Sequence, residues 1–213
     1  MCCLLLTSCY FMAGSPPSVQ TPRPSSIFTS PDCIAGCWNG LRPGTSTVED
    51  VTARGFVHYA DNHAYPLYTT SDANALFSPD DQLVSVEVYG PMDITFGQII
   101  EVLGEPEYVS LEEDFGSEIP FLTARLGFYY PSHGWVFYSD SRGGITATAN
   151  DKRAVTACVW ENTLVVFAHL VEPGSLEDVL NAIDLPNTPI RFDSRPWERR
   201  RDFWQGFGCM LTM

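Results

Sequence analysis

The sequence predicts an α+β domain in which helices pack on one face of an antiparallel β-sheet. Three hydroxyl-led segments carry the spacing of a helix start, several stretches are rich in β-branched and aromatic residues, and short turn-forming runs separate those stretches. The composition agrees, with 213 residues, 45% hydrophobic, 13% aromatic and 18% charged. Such a chain is long enough to bury a substantial core, and its balance is that of a soluble globular protein.

The helix starts are Thr47-Val48-Glu49-Asp50-Val51, Thr95-Phe96-Gly97-Gln98-Ile99 and Ser175-Leu176-Glu177-Asp178-Val179. Each sets a hydroxyl at the cap and Asp or Gln three residues on, so that one accepts from a free amide of the first turn while the other reaches back to the cap amide. Ile99, Ile100, Val102 and Leu103 follow the second start, and Val179, Leu180 and Ile183 the third, each set forming one apolar stripe. Gly104-Glu105-Pro106 and Asp184-Leu185-Pro186 stop these helices, whereas Gly55 interrupts the first one early and Phe56-Val57 already leave it.

Five strands are predicted, over 83–89, 126–130, 134–138, 155–160 and 164–170. Pro131-Ser132-His133-Gly134 closes one hairpin and Glu161-Asn162 a second. Alternation in the first makes Phe128, Tyr130, Trp135 and Phe137 core and turns Arg125, Tyr129, Val136 and Tyr138 to the other face. In the second, Val155, Ala157, Val159, Leu164, Val166 and Ala168 share the helix-covered face, opposite Thr156, Cys158, Trp160, Thr163, Val165, Phe167 and His169. An antiparallel sheet can leave one face in water. Tyr129, Tyr138, Trp160 and Phe167 on that face make a candidate protein-binding surface, because large aromatics bring contact area at low entropic cost. The competing reading covers them with the loop from Ser141 to Arg153 or with Phe203-Trp204.

Charge narrows the partners. There are 26 Asp and Glu against 12 Lys and Arg, a formal net charge of -14, so phosphate backbones are repelled and nucleic acid is not an expected partner. Arg199-Arg200-Arg201 is bracketed by Glu198 and Asp202 and reads as solvated surface.

The N-terminus reads as an address. Leu6-Thr7-Ser8-Cys9 resembles a bacterial lipobox, with Cys9 the lipidated residue, and a Pro- and Ser-rich stretch over 10–31 has the composition of a tether. Residues 1–9 are too short for a basic region and an apolar region of about 7 to 15 residues, which points to a truncated signal peptide with the true start upstream. The domain then spans 32–213, with a boundary between two related helix-sheet repeats near 91–95. Beyond Cys2, Cys3 and Cys9 remain Cys33, Cys37, Cys158 and Cys209, which allow three pairings; Cys33 with Cys37 is the first choice. Cys33, Cys37, His58 and His63 approach a zinc pattern, but the middle spacing is too long and Asp61 to Pro66 reads as a loop, so no metal and no cofactor is expected.

Asp93-Ile94-Thr95-Phe96-Gly97-Gln98-Ile99-Ile100-Glu101-Val102-Leu103-Gly104-Glu105-Pro106 resembles the helix motif of small outer-membrane assembly lipoproteins and of β-lactamase-inhibitor-protein-like domains. Cys37-Trp38-Asn39-Gly40-Leu41-Arg42-Pro43-Gly44-Thr45-Ser46-Thr47 is similar to the opening of uncharacterised bacterial lipoproteins. These stretches cover 25 of 213 residues. The resemblance implies a helix pair on a sheet, displayed outside the cytoplasm and used for protein contacts.

The expected function is therefore an extracytoplasmic, lipid-anchored module that binds a protein or an envelope component, its oligomeric state open. A hydrolase is the alternative, with Asp80-Asp81, Glu112-Glu113-Asp114 and the pair Cys158 and His169 as raw material; no G-x-S-x-G, phosphate-loop or H-E-x-x-H motif supports it. A structural envelope spacer is the third reading.

Overall fold

A computed structural model describes residues 36–62, 65–89, 92–114, 123–140, 144, 146–149, 155–183 and 206–211. All three helix starts form as capping boxes. In α1 (Val48–Thr52) the Asp50 amide donates to Thr47 Oγ1 at 3.4 Å and the Thr47 amide to Asp50 Oδ2 at 2.9 Å. In α2 (Phe96–Leu103) the matching distances between Thr95 and Gln98 are 3.3 and 2.9 Å. In α3 (Leu176–Ile183) those between Ser175 and Asp178 are 3.2 and 2.9 Å. Helix α1 ends after little more than a turn, because Gly55 takes φ 85° and turns the chain so that Phe56 enters the core.

Helix α2 docks through Phe96, whose ring stacks on Phe128 with centroids 3.9 Å apart. The Tyr130 hydroxyl donates to the Gly104 carbonyl at 3.0 Å, satisfying one of the acceptors that a helix end leaves open. Ile99 is buried and Ile100 and Leu103 are partly so, but Val102 is exposed, so the apolar stripe is narrower than its composition suggests. In α3 Val179 and Ile183 are buried and Leu180 packs at the margin.

The strands are β1 (Val57–Asn62), β2 (Tyr65–Thr69), β3 (Ala73–Phe77), β4 (Leu83–Tyr89), β5 (Tyr108–Asp114), β6 (Thr123–Tyr130), β7 (Trp135–Ser139), β8 (Thr146–Ala149), β9 (Val155–Val159), β10 (Phe167–Val171) and β11 (Gly208–Leu211). They form an antiparallel sheet of eight, ordered β1-β2-β3-β4-β10-β7-β6-β5, and a second sheet of three, ordered β11-β9-β8. The β6–β7 hairpin closes as expected, through a single 3₁₀ turn at Pro131–His133 and a left-handed Gly134 at φ 70°. Its alternation also holds: Phe128 pairs with Phe137 and Tyr130 with Trp135, while Tyr129 pairs with Val136 on the opposite face.

The second hairpin does not form. The chain does turn at Glu161-Asn162, where the Thr163 amide donates to the Trp160 carbonyl at 2.9 Å. Its arms then enter different sheets, β9 beside β8 and β11, β10 between β4 and β7. The reason lies in α2. Residues 161–165 hydrogen-bond to the chain around its start, with the Gly97 amide donating to the Glu161 carbonyl at 2.9 Å, Phe96 to Thr163 at 3.0 Å and Val165 to Ile94 at 3.0 Å. A Cβ at position 97 would lie 2.9 Å from the Glu161 carbonyl oxygen, so only glycine permits this approach. Leu164 is exposed as a result and does not share a face with Ala168, which is buried on β10.

Candidate functional site

The four aromatics expected on one open face are not together at the surface. Tyr129, Tyr138 and Phe167 are buried and only Trp160 is exposed, at 50%, on the turn that follows β9. The strands of a smaller second sheet include β8, which comes close to β6, where a single sheet with one face in water was expected. The part of the chain expected to cover it, from Ser141 to Arg153, includes β8; Phe203-Trp204 lies outside the described residues.

The face itself is a polar and aromatic network. Ser110 Oγ donates to Tyr129 Oη at 3.1 Å, and the Tyr129 and Tyr138 hydroxyls meet at 3.4 Å. Tyr138 stacks on Phe167 at 4.4 Å, and the His169 ring stands edge-on to both. The Arg125 guanidinium lies 4.8 Å from the Phe167 ring centre, a cation–π contact. Gly127 makes the tyrosines fit, since a Cβ there would meet Ser110 Oγ and Tyr129 at 2.9 Å and Tyr138 at 3.0 Å.

At the β10–β4 ladder the network meets a carboxylate. His169 pairs with Glu87 in register, its Nε2 lies 3.7 Å from Glu87 Oε1, and that nitrogen makes no hydrogen bond. Glu87 Oε2 accepts from the Tyr89 hydroxyl at 2.5 Å, and Asn74 Nδ2 donates to the same hydroxyl. Burial holds His169 below its ordinary 6.5; Glu87 opposes this and Arg125 adds to it. Burial and the hydrogen bond that the hydroxyl donates to the Glu87 carboxylate push the Tyr89 pKa up. Sequence reading placed His169 on the right face but missed Glu87, whose signal was an acid inside the apolar strand Leu83–Tyr89.

Cys158 and Cys209 form a disulfide directly across the β9–β11 ladder. Cys37 is disulfide-bonded as well, while Cys9 and Cys33 lie outside the described residues. His63 also lies outside them, and among the described residues no group of three or more His, Cys, Asp and Glu is placed to hold a metal ion.

Among the described residues the most exposed large apolar side chains, Val57 and Tyr59, are on a strand that sequence reading did not find. β1 ends the eight-stranded order, and Val57 and Tyr59 on it are 62% and 72% exposed. The register slips between His58 and Ala60, so Tyr59 is an extra residue with no partner on β2. Asp61 to Pro66 is not simply a loop: Asp61-Asn62 belong to β1 and Tyr65-Pro66 to β2. Pro66 is tolerated because β3 pairs only with Leu67 to Thr69, so that β2 has outrun its inner neighbour there.

No family model, no curated protein and no solved structure matches this chain.

Proposed function

We propose that the chain is an extracytoplasmic module, anchored by lipid at Cys9, that binds another protein or an envelope component. The observation that carries the reading is the exposure of Val57 and Tyr59 on an edge strand, since an aromatic standing almost free beside an aliphatic residue is a common anchor of protein contacts. This relocates binding from the face of Tyr129, Tyr138 and Phe167, which is occupied from within. Trp160 remains a second candidate contact through its own exposure. The disulfide of Cys158 with Cys209 and the bonded state of Cys37 support an oxidising compartment.

The finer architecture belongs to the same proposal. All helices would pack on the face of Phe128, and α1 with β1 to β4 would correspond to α2 with β5 to β7 as two related units. The stacking of Phe96 on Phe128 and the equivalent capping boxes of α1 and α2 support it.

The test is photocrosslinking in the intact envelope, with a benzophenone amino acid at position 59 or, as control, at the exposed turn residue Asp80. A discrete adduct at 59 and none at 80 is expected, with acyl chains on Cys9 by mass spectrometry. No adduct at 59 removes the binding reading; an unacylated Cys9 removes the anchor.

A further inference from the structure

Register sets Asn74 of β3, Glu87 of β4, His169 of β10 and Val136 of β7 in one row across the large sheet, with Tyr89, Phe167 and Tyr138 in the next. β10 is the strand that joins β1 to β4 with β5 to β7. His169 and Glu87 therefore face each other across the seam between the two groups.

Two side chains compete there for one carboxylate. Glu87 Oε2 accepts from the Tyr89 hydroxyl at 2.5 Å, and Asn74 Nδ2 donates to that same hydroxyl, fixing it in place. Glu87 Oε1 stops 3.7 Å from His169 Nε2, beyond hydrogen-bond reach, and this buried nitrogen has no partner. A buried polar atom left unpaired is costly, so the arrangement holds only while the phenol is the stronger claimant. Protonation reverses that order. An imidazolium and a carboxylate in a site of low dielectric attract each other more strongly than a neutral phenol attracts the carboxylate. Closing the gap to an ordinary charged hydrogen bond takes a movement of about 1 Å, within the torsional range of the Glu87 side chain, which is not fully buried.

The other ionisable groups near the imidazole leave Glu87 as its counter-ion. β6 brings Tyr129 and Arg125, whose guanidinium lies over Phe167 and opposes a second positive charge. β7 brings Tyr138, edge-on to the His169 ring. β3 and β8 carry no ionisable side chain, and α3, packed against β10 and β4, carries Glu177 and Asp178, both exposed.

We infer that Asn74, Tyr89, Glu87 and His169 form a proton-operated switch across the seam: while the imidazole is neutral Glu87 is held on Tyr89, and when the imidazole takes a proton from solvent the carboxylate moves onto Nε2 and ties β10 to β4 as an ion pair. Tyr89 keeps its own proton in both arrangements, because burial and Glu87 push its pKa up. The protein then has a second folded state below neutral pH, distinct from unfolding.

The test is an NMR titration of the full chain from about pH 7.5 to 4.5, labelled with carbon-13 at His Cε1 and Tyr Cζ, with His169→Gln and Tyr89→Phe assigning the two signals. The Tyr89 signal should move with the same midpoint as that of His169. Glu87→Gln should lower the His169 midpoint by about one pH unit and abolish the step at Tyr89. Tyr89→Phe, which frees the carboxylate for the imidazole, should raise the His169 midpoint; a histidine that is merely buried would not respond. A Tyr89 signal that does not follow His169, a midpoint not lowered by Glu87→Gln or not raised by Tyr89→Phe, a His169 that stays neutral over the whole range, or loss of the folded spectrum as His169 protonates each overturns the inference. If Glu87→Gln does not fold, Tyr89→Phe and the wild-type Tyr89 signal carry the test.

Discussion

Acid should weaken this fold in a window that one buried imidazole defines. His169 is buried among Tyr138, Phe167, Arg125 and Glu87, and its pKa lies below the ordinary 6.5 because the charged form loses its water there. Above 6.5 the group is neutral in folded and unfolded chains alike and contributes no pH dependence. As pH falls through 6.5 the unfolded chain takes a proton that the folded one refuses, so stability declines until pH reaches the folded pKa and then levels. One proton sets the steepest slope at about 1.36 kcal/mol per pH unit. Asp50 and Asp178 are shifted the other way, their carboxylates held below 3.8 by hydrogen bonds from Thr47 and Ser175. Their stabilisation is lost only as pH falls below 3.8, well outside the histidine window. The assay is urea unfolding at half-unit steps from pH 7.5 to 5.0, for the wild type and His169→Gln. The wild type should lose stability across the window and the variant should lose markedly less. Identical slopes would refute the claim that His169 is held neutral by burial.

Three further outcomes follow from the packing. Opening the Cys158–Cys209 bridge by C158S/C209S should cost about 4 kcal/mol if chain entropy over its separation of 51 residues dominates, read as a lower urea midpoint. Gly127→Ala should destabilise by about 1 to 3 kcal/mol and change the near-ultraviolet circular dichroism of the tyrosines, since its methyl would meet Ser110, Tyr129 and Tyr138 at once. Thr95→Ala should lose roughly 1 kcal/mol, with Thr95→Ser restoring most of it, because the hydroxyl that caps α2 is what is removed.

The elements that sequence reading found are those whose instructions are local. The capping boxes at Thr47, Thr95 and Ser175 are complete within four residues, and the Pro131-to-Gly134 turn fixes the β6–β7 register by itself. What it lost depends on residues far apart. The Glu161-Asn162 turn is real, but whether its arms pair is decided by Gly97, more than sixty positions earlier, which admits the Glu161 carbonyl. The second sheet was missed as well, because its strands β8 and β11 carry weak local signals, Thr146–Ala149 and Gly208–Leu211. β1 was missed because Asp61, Asn62 and Pro66 are turn formers, and here they sit at the end of a ribbon that no inner strand continues to support.

The position of β10 has a consequence for how the chain reaches this state. β1 to β4 pair in sequence order, and so do β5 to β7, but these two groups are joined only by β10 between β4 and β7. A ribosome would release both groups before the strand that joins them, leaving the inward edges of β4 and β7 waiting while the residues up to Val171 are made. Both edges are lined by Val86, Val88, Phe137 and Tyr138, apolar segments prone to pair with other nascent chains during that interval. Folding of the large sheet is thus a late, non-local closure, slow in proportion to the chain that must be looped to bring β10 home.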